Sequence, residues 1–138
     1  MPNHFHFLIQ IREEESIMTL AKIKSDENFD YHKFVMQRLS NFLNSYAKAF
    51  NKQHSRMGAL FLDYTKRAEI KDEANFTSII KYIHQNPIHH GFCEFVSDWE
   101  YSSYNAILKE TETFLEKETI IDWFGSLSNF IDFHRTNL

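Results

Sequence analysis

Apolar and polar side chains alternate along the first stretch of the chain, MPNHFHFLIQI, with the period of two that is typical of a β-strand. The alternation over residues 3–11 sorts the side chains into two faces, with His4, His6, Leu8 and Gln10 on one and Phe5, Phe7, Ile9 and Ile11 on the other. We therefore expect a strand with one apolar face and with both histidines on the opposite face.

Longer stretches follow the three- and four-residue steps of amphipathic helices. This spacing predicts a long helix over 30–53, a helix over 76–86 with Asn75 as its N-cap and Pro87 at its end, and a last helical segment over 123–133. A short apolar insert at 17–23 favours one or two helical turns. Residues 59–70, ALFLDYTKRAEI, are predicted to form a second strand.

These elements indicate the fold class. Three glycines and two prolines leave few breaks, and no repeat or linker divides the 138 residues. We expect an α/β (α+β) fold in which helices pack on an antiparallel sheet, in a single domain over 1–138. Its motif-bearing core spans 1–108, and an acidic helical extension follows at 109–138.

Composition and charge narrow the class of protein. A single cysteine, no signal-peptide pattern and no apolar run long enough for a membrane helix predict a reduced, cytoplasmic protein without membrane partners. The net charge is −4, but six basic residues stand against two acidic ones between 48 and 71, so this window carries +4. A local basic zone in an acidic chain is compatible with nucleic-acid binding.

Two pairs of residues are candidates for chemistry. Alternate residues of a strand have Cβ atoms roughly 6.5 Å apart, so His4 and His6 can both reach one divalent ion. Their alternative role is as half-exposed polar residues on a hydrated sheet face. Tyr82 and Asn86 lie one helical turn apart, either as a phenol beside an oxygen ligand or as a core edge and a helix cap.

Taken together, the two pairs predict one site. A helix packed on the sheet would bring Tyr82 and Asn86 over the histidines and place an oxygen nucleophile beside a cation. A phenol with an ordinary pKa of about 10 is a poor nucleophile at neutral pH unless a cation or base helps to remove its proton. Mg²⁺ or Mn²⁺ would also polarise a phosphate, and this combination suits cleavage of a phosphodiester through a covalent phosphotyrosine.

The motifs are similar to those of a known family. MPNHFHFLI, GALFLDYTKRAEI, YIHQNPIHHGF and DWEYSSY, in this order over residues 1–108, resemble the REP-associated tyrosine transposases, relatives of the single-tyrosine HUH transposases. The resemblance implies a ferredoxin-like or RRM-like core, with His4 and His6 as metal ligands and Asn86 completing the site. It also implies that Tyr82 attacks single-stranded or hairpin DNA and stays joined to the 5′ phosphate.

The basic zone and the residues after the helix supply candidate DNA contacts, because phosphate binding needs positive charge rather than a particular sequence. The alternative for the basic residues is a solvated surface. The candidates are Lys48, Lys52, Arg56, Lys66, Arg67, Lys71, His89 and His90.

Residues next to the motifs have roles that the sequence leaves open. His84 and Gln85 are expected to face solvent or to support the site, with Gln85 as the substitute ligand if Asn86 is not one. Trp99, Tyr101 and Tyr104 either stack on unpaired bases or hold a loop against the core.

The resemblance also bears on the start of the chain, because relatives usually carry a further strand and helix before the MPNH motif. If residue 1 is the true start, we expect an N-terminally truncated form whose exposed sheet edge favours pairing with a second copy, as a homodimer. If the true start lies upstream, the preceding segment would restore the sheet. The alternative functions are a truncated, inactive HUH-fold protein that binds DNA hairpins without cleaving them, and a plain metal-binding module.

Overall fold

The computed structural model describes residues 4–23, 29–62 and 65–135, with only the backbone of residues 73 and 74. The helices in these ranges are α1 Glu14–Leu20, α2 Tyr31–Gln53, α3 Glu73–His89, α4 Tyr104–Leu108, α5 Lys117–Phe124 and α6 Leu127–Arg135. A short 3-10 turn spans Val96–Asp98. Among these helices, none combines the length and apolarity needed to cross a bilayer.

The predicted α/β class, an antiparallel sheet with a ferredoxin-like or RRM-like core, is wrong: the residues that the structure describes are helical or irregular and include no strand. Residues 4–11 and the described parts of 59–70 have no regular secondary structure, while residues 3, 63 and 64 lie outside the described ranges. A strand needs a neighbour whose N–H and C=O groups pair with its own, and an alternating sequence does not supply that neighbour.

The helix predictions are confirmed, with corrected ends. The apolar insert becomes α1, and α2 begins directly after Asp30, whose carboxylate accepts a hydrogen bond from the backbone N of Lys33 at 2.8 Å. For α3 the N-cap is Asp72 rather than Asn75, because the Asp72 carboxylate accepts from the Asn75 backbone N at 2.9 Å.

Two further helix ends differ from the prediction. Helix α3 continues through Pro87 to its last residue, His89, although a proline has no N–H to offer the preceding turn. The predicted last segment is two helices, because Gly125 adopts a left-handed conformation with φ of 76° and ends α5 before α6 begins.

The chain divides into two compact units, one formed by the described residues of Met1–Leu8 and Ala68–Leu138 and the other by Ile9–Arg67. The first unit holds a buried core formed by Ile80 of α3, Tyr104 and Ile107 of α4, and Phe130 of α6. The Phe130 ring stacks on that of Tyr104, with centroids 5.5 Å apart. Aromatic pairs of this kind add to the stabilisation from burial alone, so α3 is held firmly by the helices that follow it.

The second unit contains α1 and α2, and neither helix has a buried side chain. The Tyr31 hydroxyl donates a hydrogen bond to the Arg12 carbonyl at 2.6 Å. An apolar groove of about 520 Å³ in this unit is lined by residues that include Ile17, Leu20 and Phe34.

Candidate functional site

Two histidines of the amino-terminal segment lie against α3 within the first unit. The ring centroids of His4 and His6 are 5.1 Å apart, with the ring planes almost perpendicular. His6 also contacts the Tyr82 ring edge-on at 5.6 Å, and His4 contacts His90 at 5.8 Å. These four rings form one cluster, which we call the histidine–tyrosine cluster.

The order of these contacts locates the cluster on one face of α3. Tyr82, Asn86 and His90 are spaced four residues apart, so they form a row about 12 Å long on the helix surface. His6 contacts the Tyr82 end of the row and His4 contacts the His90 end. Asn86 therefore lies between the two places where the histidines meet α3.

Asn86 is the most buried residue of this row. Its side chain is 2% exposed, and its Oδ1 atom has no hydrogen-bond partner among the described residues. Leaving a buried acceptor unpaired costs roughly 1–3 kcal/mol, so such an atom is a candidate for contact with a bound ligand. Tyr82 is 43% exposed, which leaves its side chain accessible to a substrate.

The chemical types of these donors suit a divalent cation. An ion about 2.1 Å from one nitrogen of each imidazole places the ring centroids roughly 5 Å apart, which matches the separation of His4 and His6. Asn86 offers an amide oxygen, a ligand type suited to Mg²⁺ or Mn²⁺. Within the described ranges no three His, Cys, Asp or Glu side chains are arranged to hold a metal, so His90 does not complete a site made of three histidines.

The electrostatics of the cluster favour a neutral His6. Partial burial lowers the pKa of this imidazole, and the neighbouring His4 and His90 lower it further. A neutral imidazole is the form that binds metal ions.

A second set of polar side chains on α3 faces the core. His84 is 2% exposed, and its Nδ1 lies 2.9 Å from Nε2 of His134 while its Nε2 lies 2.8 Å from Oγ of Ser103. Nδ1 of His134 lies 2.7 Å from the Phe130 carbonyl oxygen. Because a carbonyl can only accept, neutral His134 donates from Nδ1 and accepts at Nε2 from His84. Nε2 of His84 then accepts from the Ser103 hydroxyl.

Burial keeps these two imidazoles uncharged. Desolvation, with a smaller contribution from His134, lowers the pKa of His84 to about 3. Desolvation also lowers the pKa of His134, although its hydrogen bond to the Phe130 carbonyl acts in the opposite direction. Both histidines therefore act as neutral hydrogen-bonding groups that join α3 to α6.

Of the two roles expected for His84 and Gln85, facing solvent is excluded because both are buried, and a supporting role stays open. Gln85 Nε2 donates to the His134 carbonyl at 3.2 Å, so the predicted substitute ligand contacts α6. The partners of His84, Ser103 and His134, were not predicted from the sequence. One signal was present: Phe76, Ile80 and His84 continue the four-residue step of the core stripe.

The predicted DNA contacts divide between the two units. The second unit carries five of them, all exposed: Lys48, Lys52, Arg56, Lys66 and Arg67. In the first unit, exposed Lys71 lies 3.8 Å from the carboxylate of Glu69, and His89 and His90 are exposed at the end of α3. His90 belongs to the histidine–tyrosine cluster through its contact with His4.

The three aromatic residues that either stack on bases or hold a loop against the core have different environments. Tyr104 is buried in the core, which agrees with the second role and excludes stacking on bases. Trp99 is half-buried, and Tyr101 is 78% exposed. These last two stay available for contact with a ligand.

The exposed Tyr82 thus contacts one of two neighbouring imidazoles and lies one helical turn from a buried amide oxygen. The chain is 27% identical over 129 residues to a protein of Haemophilus influenzae named "Putative REP-associated tyrosine transposase". The match covers 91% of this chain and 64% of the relative, so the chain spans less than two thirds of that protein's length. No family model and no solved structure matches the chain. The similarity confirms the resemblance to the REP-associated tyrosine transposases that the motifs indicated.

Proposed function

We propose that this protein is a transposase-type enzyme that nicks and rejoins single-stranded DNA, with Tyr82 as nucleophile and a divalent metal as cofactor. The observation that carries the proposal is the contact of the Tyr82 ring with His6, at 5.6 Å, one helical turn from the unpartnered oxygen of Asn86. The name of the Haemophilus relative, a tyrosine transposase, supports the same class of enzyme.

Tyr82 supplies the atom that forms the new bond. Its oxygen attacks the phosphorus of a phosphodiester, an Oη–P bond forms, and the bond from phosphorus to the 3′ oxygen breaks. The phenol loses its proton and the departing 3′ oxygen gains one, so one strand leaves with a 3′-OH while the 5′ phosphate stays on the tyrosine. A phosphodiester is replaced by a phosphodiester, so a 3′-OH can reverse the step without ATP.

His4, His6 and Asn86 would hold Mg²⁺ or Mn²⁺, which when bound polarises the phosphate. Asn86 and Tyr82 belong to the same helix, about 6 Å apart along its axis, so a ligand and the nucleophile are positioned by one rigid element. The contact of His90 with His4 restrains the ring at the other end of the row. The bonds of His84 and Gln85 to α6 hold α3 from its opposite side.

The variant Tyr82→Phe tests the nucleophile. It removes the hydroxyl and keeps the ring that contacts His6, so we expect the covalent protein–DNA adduct with a labelled single-stranded hairpin and Mn²⁺ to disappear while DNA binding is retained. Tyr101→Phe, which changes an exposed tyrosine outside the cluster, should still form the adduct. An undiminished adduct in Tyr82→Phe would contradict the assignment. A wild-type protein that binds the hairpin but forms no adduct with either ion would favour the non-cleaving alternative.

A further inference from the structure

Ring contacts continue from the histidine–tyrosine cluster across the surface of the first unit. The rings of His90 and Phe92 are nearly parallel, with centroids 6.4 Å apart. Phe92 and Trp99 follow at 5.9 Å, and Trp99 and Tyr101 at 5.5 Å. Since His90 also contacts the histidine pair beside Tyr82, an unbroken series of ring contacts joins the candidate nucleophile to Tyr101. We call Phe92, Trp99 and Tyr101 the aromatic track.

The exposure of the track does not match a purely structural role. Phe92 is 46% exposed and Tyr101 is 78% exposed, whereas rings that hold a loop against a core are mostly shielded from water. Trp99 is half-buried and contacts both of the others, so it anchors them. Adjacent exposed rings that lead away from a site are suited to stacking with a flat ligand.

The charges around the track indicate which part of a nucleic acid it would contact. Glu94, Asp98 and Glu100 lie in the same segment of chain, and the Asp98 carboxylate is already engaged by the backbone N of Phe95 at 2.9 Å. The neighbouring Glu100 carboxylate raises the pKa of the Tyr101 phenol. These carboxylates repel phosphates, so a duplex, which presents its phosphate backbones and hides the base faces, is disfavoured. Unpaired bases can stack on the rings with their phosphates turned away.

We propose that the aromatic track binds unpaired DNA bases flanking the phosphate that Tyr82 attacks. This inference rests on the proposed function and adds to it where the single strand lies next to the site. Base stacking depends little on salt, in contrast to phosphate contacts, so binding at the track should persist when the ionic strength is raised.

The fluorescence of Trp99 gives a direct measurement. The chain has two tryptophans, and Trp123 packs on Phe76 with centroids 4.4 Å apart, so Trp123→Phe leaves Trp99 as the sole reporter. We expect oligothymidylate to quench this fluorescence, with little reduction at higher salt. An abasic oligonucleotide of the same length and charge should not quench it. Equal quenching by the abasic strand, or none by oligothymidylate, would overturn the proposal.

Affinity measurements on full-length variants give a second test. Removing one stacking ring weakens single-strand binding by roughly fivefold or more, so the affinity of Tyr101→Ala should fall by at least about this factor and Tyr101→Phe should retain wild-type affinity. Phe114→Ala is the matched control, because Phe114 is fully exposed and lies outside the track. Equal affinities for Tyr101→Ala and Phe114→Ala would contradict the track.

The two proposals can fail separately. Quenching of Trp99 by bases without any covalent adduct would remove the nuclease function and leave the track as a single-strand binding surface. Adduct formation with unchanged affinity in Tyr101→Ala would support the enzyme and overturn the track. The variant Tyr82→Phe should still show quenching, because its hydroxyl takes no part in stacking.

Discussion

Asn86 combines deep burial with an unsatisfied polar atom. A fully buried amide normally has its oxygen hydrogen-bonded, but Oδ1 of Asn86 has no partner among the described residues. Its neighbours on the same helix, His84 and Gln85, have hydrogen bonds to α6. Asn86 lies on a different face of α3, between the contacts of this helix segment with His4 and His6.

The variant Asn86→Leu tests this residue. Leucine has the same branched skeleton of four side-chain heavy atoms and removes an unpaired acceptor, which offsets the cost of its larger methyl groups, so the metal-free protein should unfold close to the wild-type temperature. Mn²⁺ should raise the Tm of the wild type, because an ion that binds the folded state stabilises it, and this rise should be absent in the variant. His89→Ala, at an exposed position of the same helix, should keep the response. A full Mn²⁺ response in Asn86→Leu would exclude Asn86 as a ligand.

At the scale of elements, α3 has two polar faces, and each makes a different set of contacts. One faces the histidine–tyrosine cluster, and the other forms the hydrogen bonds of His84 with His134 and Ser103. Lys81 strengthens the second face, since it is buried and its Nζ lies 4.9 Å from the centroid of the Phe133 ring in α6. Polar contacts with Ser103 and α6 thus fix α3, the helix that carries the candidate nucleophile.

These buried histidines make stability depend on pH. The unfolded chain protonates each imidazole at a pH of about 6.5, whereas folded His84 does so at about 3 and folded His134 also below its usual range. As the pH falls below 6.5 the unfolded state gains protons first, so the free energy of unfolding decreases. His84 alone accounts for roughly 2 kcal/mol between pH 7.5 and 5.

Denaturant unfolding of the metal-free protein at several pH values between 7.5 and 5 measures this decrease. The double variant His84→Gln/His134→Gln should be less stable at pH 7.5 but show a shallower decline. His89→Gln, which removes an exposed histidine of α3, should decline as the wild type does. Equal slopes in the double variant and the wild type would show that these two histidines do not cause the effect.

The sequence predicted the helices well because their signals are local. The three- and four-residue spacing located α2, and the carboxylate of Asp30 marks its start. The alternation around His4 and His6 predicted their common neighbourhood but not their secondary structure, since a strand depends on a partner elsewhere in the chain. Likewise, nothing local connects His84 with His134, which lies 50 residues later.

Across the whole molecule, five of the six basic residues of the zone belong to the unit of Ile9–Arg67, and the histidine–tyrosine cluster belongs to the other. Lys48 and Lys52, one turn apart on α2, belong to the unit of Ile9–Arg67, whereas Tyr82 belongs to the other. Under the two proposals, their positive charges would contribute to DNA affinity through phosphates and the track would contribute through bases. A higher salt concentration should therefore weaken the phosphate contacts and leave the base contacts largely unchanged.

The double variant Lys48→Ala/Lys52→Ala should bind single-stranded DNA more weakly and with less dependence on salt. In a plot of log affinity against log salt concentration, the slope should become shallower by about 0.7 for each phosphate that is no longer neutralised. Lys33→Ala/Lys109→Ala removes the same charge outside the basic zone and should keep the wild-type slope. A slope unchanged in the first variant would assign Lys48 and Lys52 to a solvated surface.

The absence of buried side chains in α2 has a consequence for how this helix forms. A helix whose side chains are at most partly buried gains less from tertiary packing, so its population depends more on helix–coil cooperativity along its own 23 residues. That length exceeds the roughly 12–15 residues below which isolated helices are marginal in water. We expect α2 to nucleate at the Asp30 cap, where one side-chain hydrogen bond already fixes the first turn. Helix propagation from this end would then bring Lys48 and Lys52 to the same face of α2, one turn apart.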